Sequence, residues 1–336
     1  MAKKVLALPG DGIGPEVTSS AVGVLEHAAG GRIEVTYGEI GLSALARTSE
    51  HLPAETVGLA ADADAIISGG AAQAPSGRAH GDPVRELKRQ LNLYSVVRKF
   101  FPLCDRIGVR GVDLLVVTGN PDALLHVSET ESLDGVDLHK FLSSASCRKL
   151  FGETVRISAS MGRRKVTCAH RASMFPTLDG MFVDEFYKCL AGAGLLVEDM
   201  EVGEAASRLV MDPPSMDVIV STDIYGAVLA GVAAGMVGGG YLTPVGSIGD
   251  SCGLFEPMHG PNPRDVAGGA ANPTSAILSG AMALDHLGMP AEAEKIRKAV
   301  RCVYSRGAVT PDVGGSATTK EFTESVIKAV EEQEEG

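Results

Sequence analysis

The first apolar run, Val5 to Pro9, does not alternate with polar positions. Unbroken runs of that length mark strands buried on both faces of a sheet. Gly10-Asp11-Gly12-Ile13-Gly14 follows. Pro15 then sits where a first helical turn tolerates a missing amide donor, and Glu16 favours that positive end. From Glu16 to Ala29 the apolar residues Val17, Val22, Val24 and Leu25 keep helical spacing. Strand, glycine-rich turn and helix make a βα unit. Its glycines do not spell G-x-G-x-x-G, so that dinucleotide fingerprint is absent.

Further strands are predicted at 33–37, 65–68 and 114–117, and helices at 273–286 and 290–304. Pro83 opens a helix over 83–94 in which Val84, Leu87 and Leu91 share one face. Arg85, Lys88 and Arg89 take the remaining arc, and Arg98 follows. Such charges most often mean a solvated face. The functional alternative is a cationic cradle for carboxylates, where charge-assisted and bidentate bonds are strong. The apolar run 227–242 is short and glycine-rich, so it reads as a buried helix and loop and not as a membrane span. Residues 126–150 carry no assignable chemistry. Gly246 to Pro273 has few apolar periods and many Gly, Pro, Asn and Asp residues. It reads as a long ordered loop, a kind that usually carries function. The alternation of strand and helix implies an α/β protein, with helices on both faces of a mixed sheet.

Composition narrows the picture. The 336 residues are enough for two domains, and no low-complexity linker or internal repeat divides them. A formal net charge of -12 argues against nucleic acid or an anionic membrane as partner, but not against a local basic pocket. Cys104, Cys147, Cys168, Cys189, Cys252 and Cys302 are scattered and form no C-x-x-C. They read as reduced thiols of a cytoplasmic protein, not as a zinc site or disulfide framework. The apolar run near the N-terminus is too short for a signal peptide. The final EEQEEG reads as a frayed acidic tail.

Four motifs carry a resemblance: GDGIGPEV at 10–17, the segment 209–220, EPMHG at 256–260 continuing to ANP at 271–273, and TPDVGG at 310–315. Together they resemble the isocitrate/isopropylmalate dehydrogenases, metal-dependent β-decarboxylating enzymes that include homoisocitrate-type members. The resemblance spans nearly the whole chain and weakens between about 119 and 160. It implies an isopropylmalate dehydrogenase-like fold of two domains, residues 1–98 with 245–336 and residues 99–244, the second making a homodimer contact. It implies that Gly10, Asp11 and Gly12 lie near the nicotinamide. It places Glu256, His259, Gly260, Asn272 and Asp312 at the cofactor, with His259 and Asn272 at the adenine. An acidic residue after H-G-x-x-P suits NAD and a basic one NADP; Arg264 followed by Asp265 leaves both open. Arg85, Lys88 and Arg98 would hold a small carboxylic acid. Arg85, found in homoisocitrate-type members, points to a di- or tricarboxylate.

The same resemblance exposes departures. The family's third substrate arginine is Thr118, its catalytic tyrosine Leu125 and its general acid/base lysine Arg171. Guanidinium stays charged and relays no proton, and losing general acid/base catalysis costs about 10²–10⁴-fold. His170 and Arg171 are the remaining catalytic candidates, although a buried structural role is the commoner meaning of such a histidine. The three metal aspartates are Gly203, Ala227 and Gly231. Magnesium needs hard oxygen ligands, so no metal is expected, with Glu204 and Asp223 as displaced candidates for a rebuilt site. The favoured reading is a silent or repurposed member that binds nucleotide and acid, with a protein partner if its role is regulatory. The alternative is an active NAD(P)-dependent oxidative decarboxylase of isocitrate, homoisocitrate or 3-isopropylmalate.

Overall fold

The computed structural model describes residues 2–72, 82–120, 125–261 and 268–333. One mixed sheet of ten strands runs through the molecule in the order β2-β1-β3-β12-β11-β4-β5-β10-β8-β9. These strands are β1 Lys3–Leu8, β2 Ile33–Tyr37, β3 Ala65–Ser68, β4 Ser95–Phe100, β5 Leu114–Gly119, β8 Lys165–His170, β9 Leu196–Glu201, β10 Val218–Ser221, β11 Pro244–Ile248 and β12 Gly253–Pro257. Two parallel wings meet at a centre where β11 runs antiparallel to β12 and β4, and β4 antiparallel to β5. The wing strands β3, β5 and β10 are buried along their whole length, as their unbroken apolar runs require.

Helix α1, Gly14–Ala29, packs on α9, Thr274–His286. Buried residues cover α9 from Thr274 to Leu284, and a helix apolar on all sides belongs inside a core. Gly280 lets α1 approach: a Cβ there would stand 2.1 Å from a Leu25 methyl carbon. Helices α10, Pro290–Arg306, and α11, Thr319–Glu331, complete this layer. The other wing carries α7, Val202–Met211, and α8, Asp223–Met236. Among the described residues there are eleven α-helices; the rest are α2 Leu42–Thr48, α3 Ala54–Asp62, α4 Pro83–Gln90, α5 Ser144–Ser160 and α6 Leu178–Leu190. None is long and apolar enough to cross a membrane, and the six cysteines are free thiols.

Three expectations change. The segment Gly246 to Pro273 is not all loop, because β11 and β12 form a hairpin within it. The hairpin's strand glycines answer to close packing: a Cβ on Gly253 would sit 2.8 Å from the Phe255 ring and one on Gly246 3.0 Å from it. Helix α4 ends at Gln90, and Asn92 turns left-handed with φ 51°. Residues 126–150, left unassigned, hold a two-stranded sheet of β6 Leu125–Glu131 and β7 Val136–Leu142, then the start of α5. Most of β7 faces solvent, so its alternation has no core of its own to report.

Candidate nucleotide and acid site

The turn after β1 is built by exclusion. Gly10 has φ 68°, and a Cβ there would lie 1.8 Å from the Gly70 carbonyl oxygen. Gly12 is left-handed too, with φ 60°. The Asp11 carboxylate accepts the backbone amides of Leu42 at 2.8 Å, Ser43 at 2.9 Å and Ala72 at 2.8 Å. Its oxygens therefore cap α2 and tie three segments together. The Ile13 amide donates to the Pro261 carbonyl at 2.7 Å, which brings this turn against the EPMHG loop.

In that loop the His259 ring stacks on Tyr241, with centroids 4.6 Å apart and planes 22° from parallel. Its Nδ1 donates to the Gly260 carbonyl at 3.0 Å. Its Nε2 is buried with no partner among the described residues. Burial holds the ring's pKa below the ordinary value, so at neutral pH Nε2 is a bare acceptor suited to an N–H donor of a ligand. Asn272 is 1% exposed. Its Nδ2 donates to Asp312 at 2.9 Å and to the Tyr304 hydroxyl at 3.3 Å, and its Oδ1 accepts the Thr274 amide at 3.0 Å. Asp312 also accepts the Thr310 hydroxyl at 2.5 Å. The Asn272 and Asp312 side chains thus brace the start of α9, and at Asn272 the backbone is what remains to meet a ligand. Arg264 and Asp265 lie outside the described residues.

A cleft of about 590 Å³ joins this loop to the predicted cationic wall: Arg85, Lys88 and Arg98 line it, with Glu256, His259 and Asp223. The three cations expected from sequence thus line one cleft. Asp82 caps α4, its carboxylate accepting the amides of Val84 at 3.0 Å and Arg85 at 3.1 Å. Reading the helix as opening at Pro83 passed over this cap, although an aspartate before proline is its signal. Lys88 pairs with Glu256, both side chains largely shielded. Arg98 donates to the Thr118 hydroxyl at 3.2 Å. Burial pushes its guanidinium below the ordinary pKa, and the nearby carboxylates of Asp223 and Glu256 pull it back up. Tyr241, the platform under His259, escaped sequence reading; its only signal is a lone aromatic in a glycine-rich run.

His170 and Arg171 do not line this cleft. His170 is 7% exposed. Its Nε2 bonds Asp199 at 2.9 Å and its Nδ1 accepts the Ala172 amide at 3.0 Å, so both ring nitrogens are engaged. Arg171 donates to Glu201 at 3.3 Å. Glu204 pairs with Arg208 at 2.8 Å. Ala227 and Gly231 follow Asp223 at successive turns of α8, and that face offers no second carboxylate. Among the described residues no group of three or more His, Cys, Asp or Glu side chains could hold a metal ion. The residues present do not fit magnesium.

The fold agrees with the comparisons. The chain matches the family described as isocitrate/isopropylmalate dehydrogenase over residues 4–326 and belongs to it. It is 40% identical to the isocitrate/homoisocitrate dehydrogenase of Thermus thermophilus over 337 residues, covering 98% of this chain and 99% of that one. It is 36% identical to the 3-isopropylmalate/3-methylmalate dehydrogenase of Methanocaldococcus jannaschii over 341 residues, covering 98% and 99%. Among solved structures, the β-decarboxylating dehydrogenase of Thermococcus kodakarensis matches with a TM-score of 0.90 at 28% identity, covering 99% of this chain and 97% of that one.

Proposed function

We propose that this chain binds NAD or NADP together with a small di- or tricarboxylic acid in the cleft between the EPMHG loop and α4. One observation carries this reading: Arg85, Lys88 and Arg98 converge on the cleft that His259 also lines. Lys88 and Arg98 would hold carboxylates, and Arg85 would meet a further one. The stacked His259 ring, with its free Nε2, would face the adenine.

Two readings go beyond binding. The relatives named above as dehydrogenases favour turnover, NAD(P)-linked oxidation of a 2-hydroxy di- or tricarboxylic acid. Oxidation of that alcohol sends a hydride to the nicotinamide and a proton to a base. The base cannot be Arg171; the cleft offers the carboxylates of Asp223 and Glu256 instead. The second reading, a silent nucleotide- and acid-binding member, rests on Thr118, Arg171, Gly203, Ala227 and Gly231 standing where the family keeps its chemistry. Comparisons support the first more than the second, and the side chains of this chain support the second.

Steady-state assays with isocitrate, homoisocitrate and 3-isopropylmalate, each with NAD or NADP and with magnesium or EDTA, separate them. Calorimetric binding of nucleotide without turnover sinks the first reading; turnover at the rates of ordinary enzymes sinks the second. Absence of any nucleotide binding sinks both.

We further propose the domain division 1–98 with 245–336 and 99–244, and a homodimer through the second domain. Val210 and Met211 of α7 and Ile224 and Val228 of α8 stand exposed by 51–82%, apolar side chains of the kind interfaces cover.

A further inference from the structure

The sheet has a second cavity on its other side. It measures about 840 Å³, larger than the cleft, and no residue lines both. Strand β4 walls both spaces by pleating: Val96 and Arg98 face the cleft, Val97 and Lys99 the cavity. On β12, Glu256 faces the cleft and Phe255 the cavity.

Charge in the cavity is unbalanced once its pairs are formed. Asp217 accepts Arg163 at 3.0 Å through one oxygen and the amides of Arg164 and Lys165 through the other, at 2.7 and 3.0 Å. Asp113 accepts Arg163 at 2.6 Å. Asp285 takes Arg297 on both oxygens, at 2.8 and 3.3 Å. The lining carboxylates are therefore in use, and cationic donors remain. The Lys99 amine lies 5.5 Å from the centre of the Phe101 ring and makes no hydrogen bond or ion pair among the described residues. The Arg164 guanidinium also has none among them, and the Nε of Arg163 is buried without a partner. Burial, with Arg297 and Arg163 close by, pushes the Lys99 amine below the usual lysine range, against the opposing pull of Asp285 and Asp113. An anion would relieve that cost by charge-assisted bonding. The remaining wall is apolar, with Val97, Ile248, Phe255 and Met282.

We propose that this cavity binds a small organic anion, its phosphate or carboxylate end at Lys99, Arg163 and Arg164 and its apolar body against Phe255 and Met282. The site is separate from the nucleotide and acid cleft. The test is calorimetric titration of the full-length protein with phenyl phosphate, benzoate and inorganic phosphate. Phenyl phosphate or benzoate should bind saturably, and whichever binds more tightly identifies the head group. Inorganic phosphate, lacking the body, should bind at least about tenfold more weakly. Lys99→Met and Arg164→Ala should each weaken binding by about tenfold, the loss of one charge-assisted bond. Arg164→Ala alters an exposed side chain, so it reports even where Lys99→Met does not fold. Arg98→Met, on the opposite face, should leave binding within about twofold. Absence of saturable binding by both organic anions overturns the proposal. So does equal binding of inorganic phosphate, indifference to Arg164→Ala, or a loss with Arg98→Met as large as that with Arg164→Ala.

Discussion

The EPMHG side of the cleft and the α7–α8 side are built differently. On the first, every predicted and described side chain stands in a bonded framework: Asp11 across three amides, Asn272 on Asp312, His259 on Tyr241. On the second, Arg171, Gly203, Ala227 and Gly231 stand where the resemblance expects a lysine and three aspartates, and the charged side chains nearby are paired with one another. Arg171 is taken by Glu201, Glu204 by Arg208 and His170 by Asp199. The difference follows from what each side chain does for folding. Asp11 and Asn272 satisfy backbone amides, so removing them leaves buried donors unpaired at about 1–3 kcal/mol each. A side chain at position 231, inside α8, would hold nothing together, since a Cβ on Gly231 would meet open space.

The largest expected effect breaks the comparison from the chemical side. Restoring Arg171→Lys with Gly203→Asp, Ala227→Asp and Gly231→Asp should raise magnesium-dependent turnover by at least about 10²–10⁴-fold, the worth of general acid/base catalysis alone. Equal rates before and after would show that the present side chains already suffice. Next comes Gly10→Ala, which should cost about 3 kcal/mol or more. It drives a methyl into the Gly70 carbonyl and strains a left-handed residue. Urea unfolding measures it, and a cost under about 1 kcal/mol would mean the turn is looser than described. Arg98→Met should weaken binding of a di- or tricarboxylate by about 10–100-fold, a charge-assisted bond to a shielded guanidinium being worth about 1.5–3 kcal/mol. Calorimetry checks it, with nucleotide affinity as the control that should not move.

The smallest effect is in pH. Burial lowers His259 and His286 from the ordinary value of 6.5. Above that value both are neutral, folded or unfolded. As pH falls below 6.5, the unfolded chain takes up protons that the folded chain refuses, so stability declines until the lowered values are reached. A His259→Asn/His286→Asn variant should flatten this part of the urea-midpoint profile against pH. An unchanged slope would place its origin in other groups.

Much of this was legible from sequence for identifiable reasons. The strand at 65–68 and the helices near 14–29 and 290–306 follow from unbroken or helically spaced apolar residues, which report burial directly. The cations Arg85, Lys88 and Arg98 came together because a helix turn and the following strand fix their direction. The β11–β12 hairpin was hidden because its glycines respond to the Phe255 ring, a neighbour invisible to local pattern. Hairpin β6–β7 was hidden because much of its surface is solvated in this chain. Asp11, Asn272 and Asp312 were singled out from sequence as cofactor contacts; in the fold Asp11 and Asn272 hold backbone amides, and Asp312 holds the Asn272 and Thr310 side chains. Motif resemblance reports which residues persist and does not separate touching a ligand from holding the loop that does.

Arg98 and Lys99 are joined by one peptide bond and look out on opposite sides of β4. A shift of β4 by a single residue against β5 and β11 would exchange them, presenting the amine to the acid cleft and the guanidinium to the far chamber. Length changes near this strand would therefore rewrite both chambers at once, and each can be redesigned alone only by substitution in place.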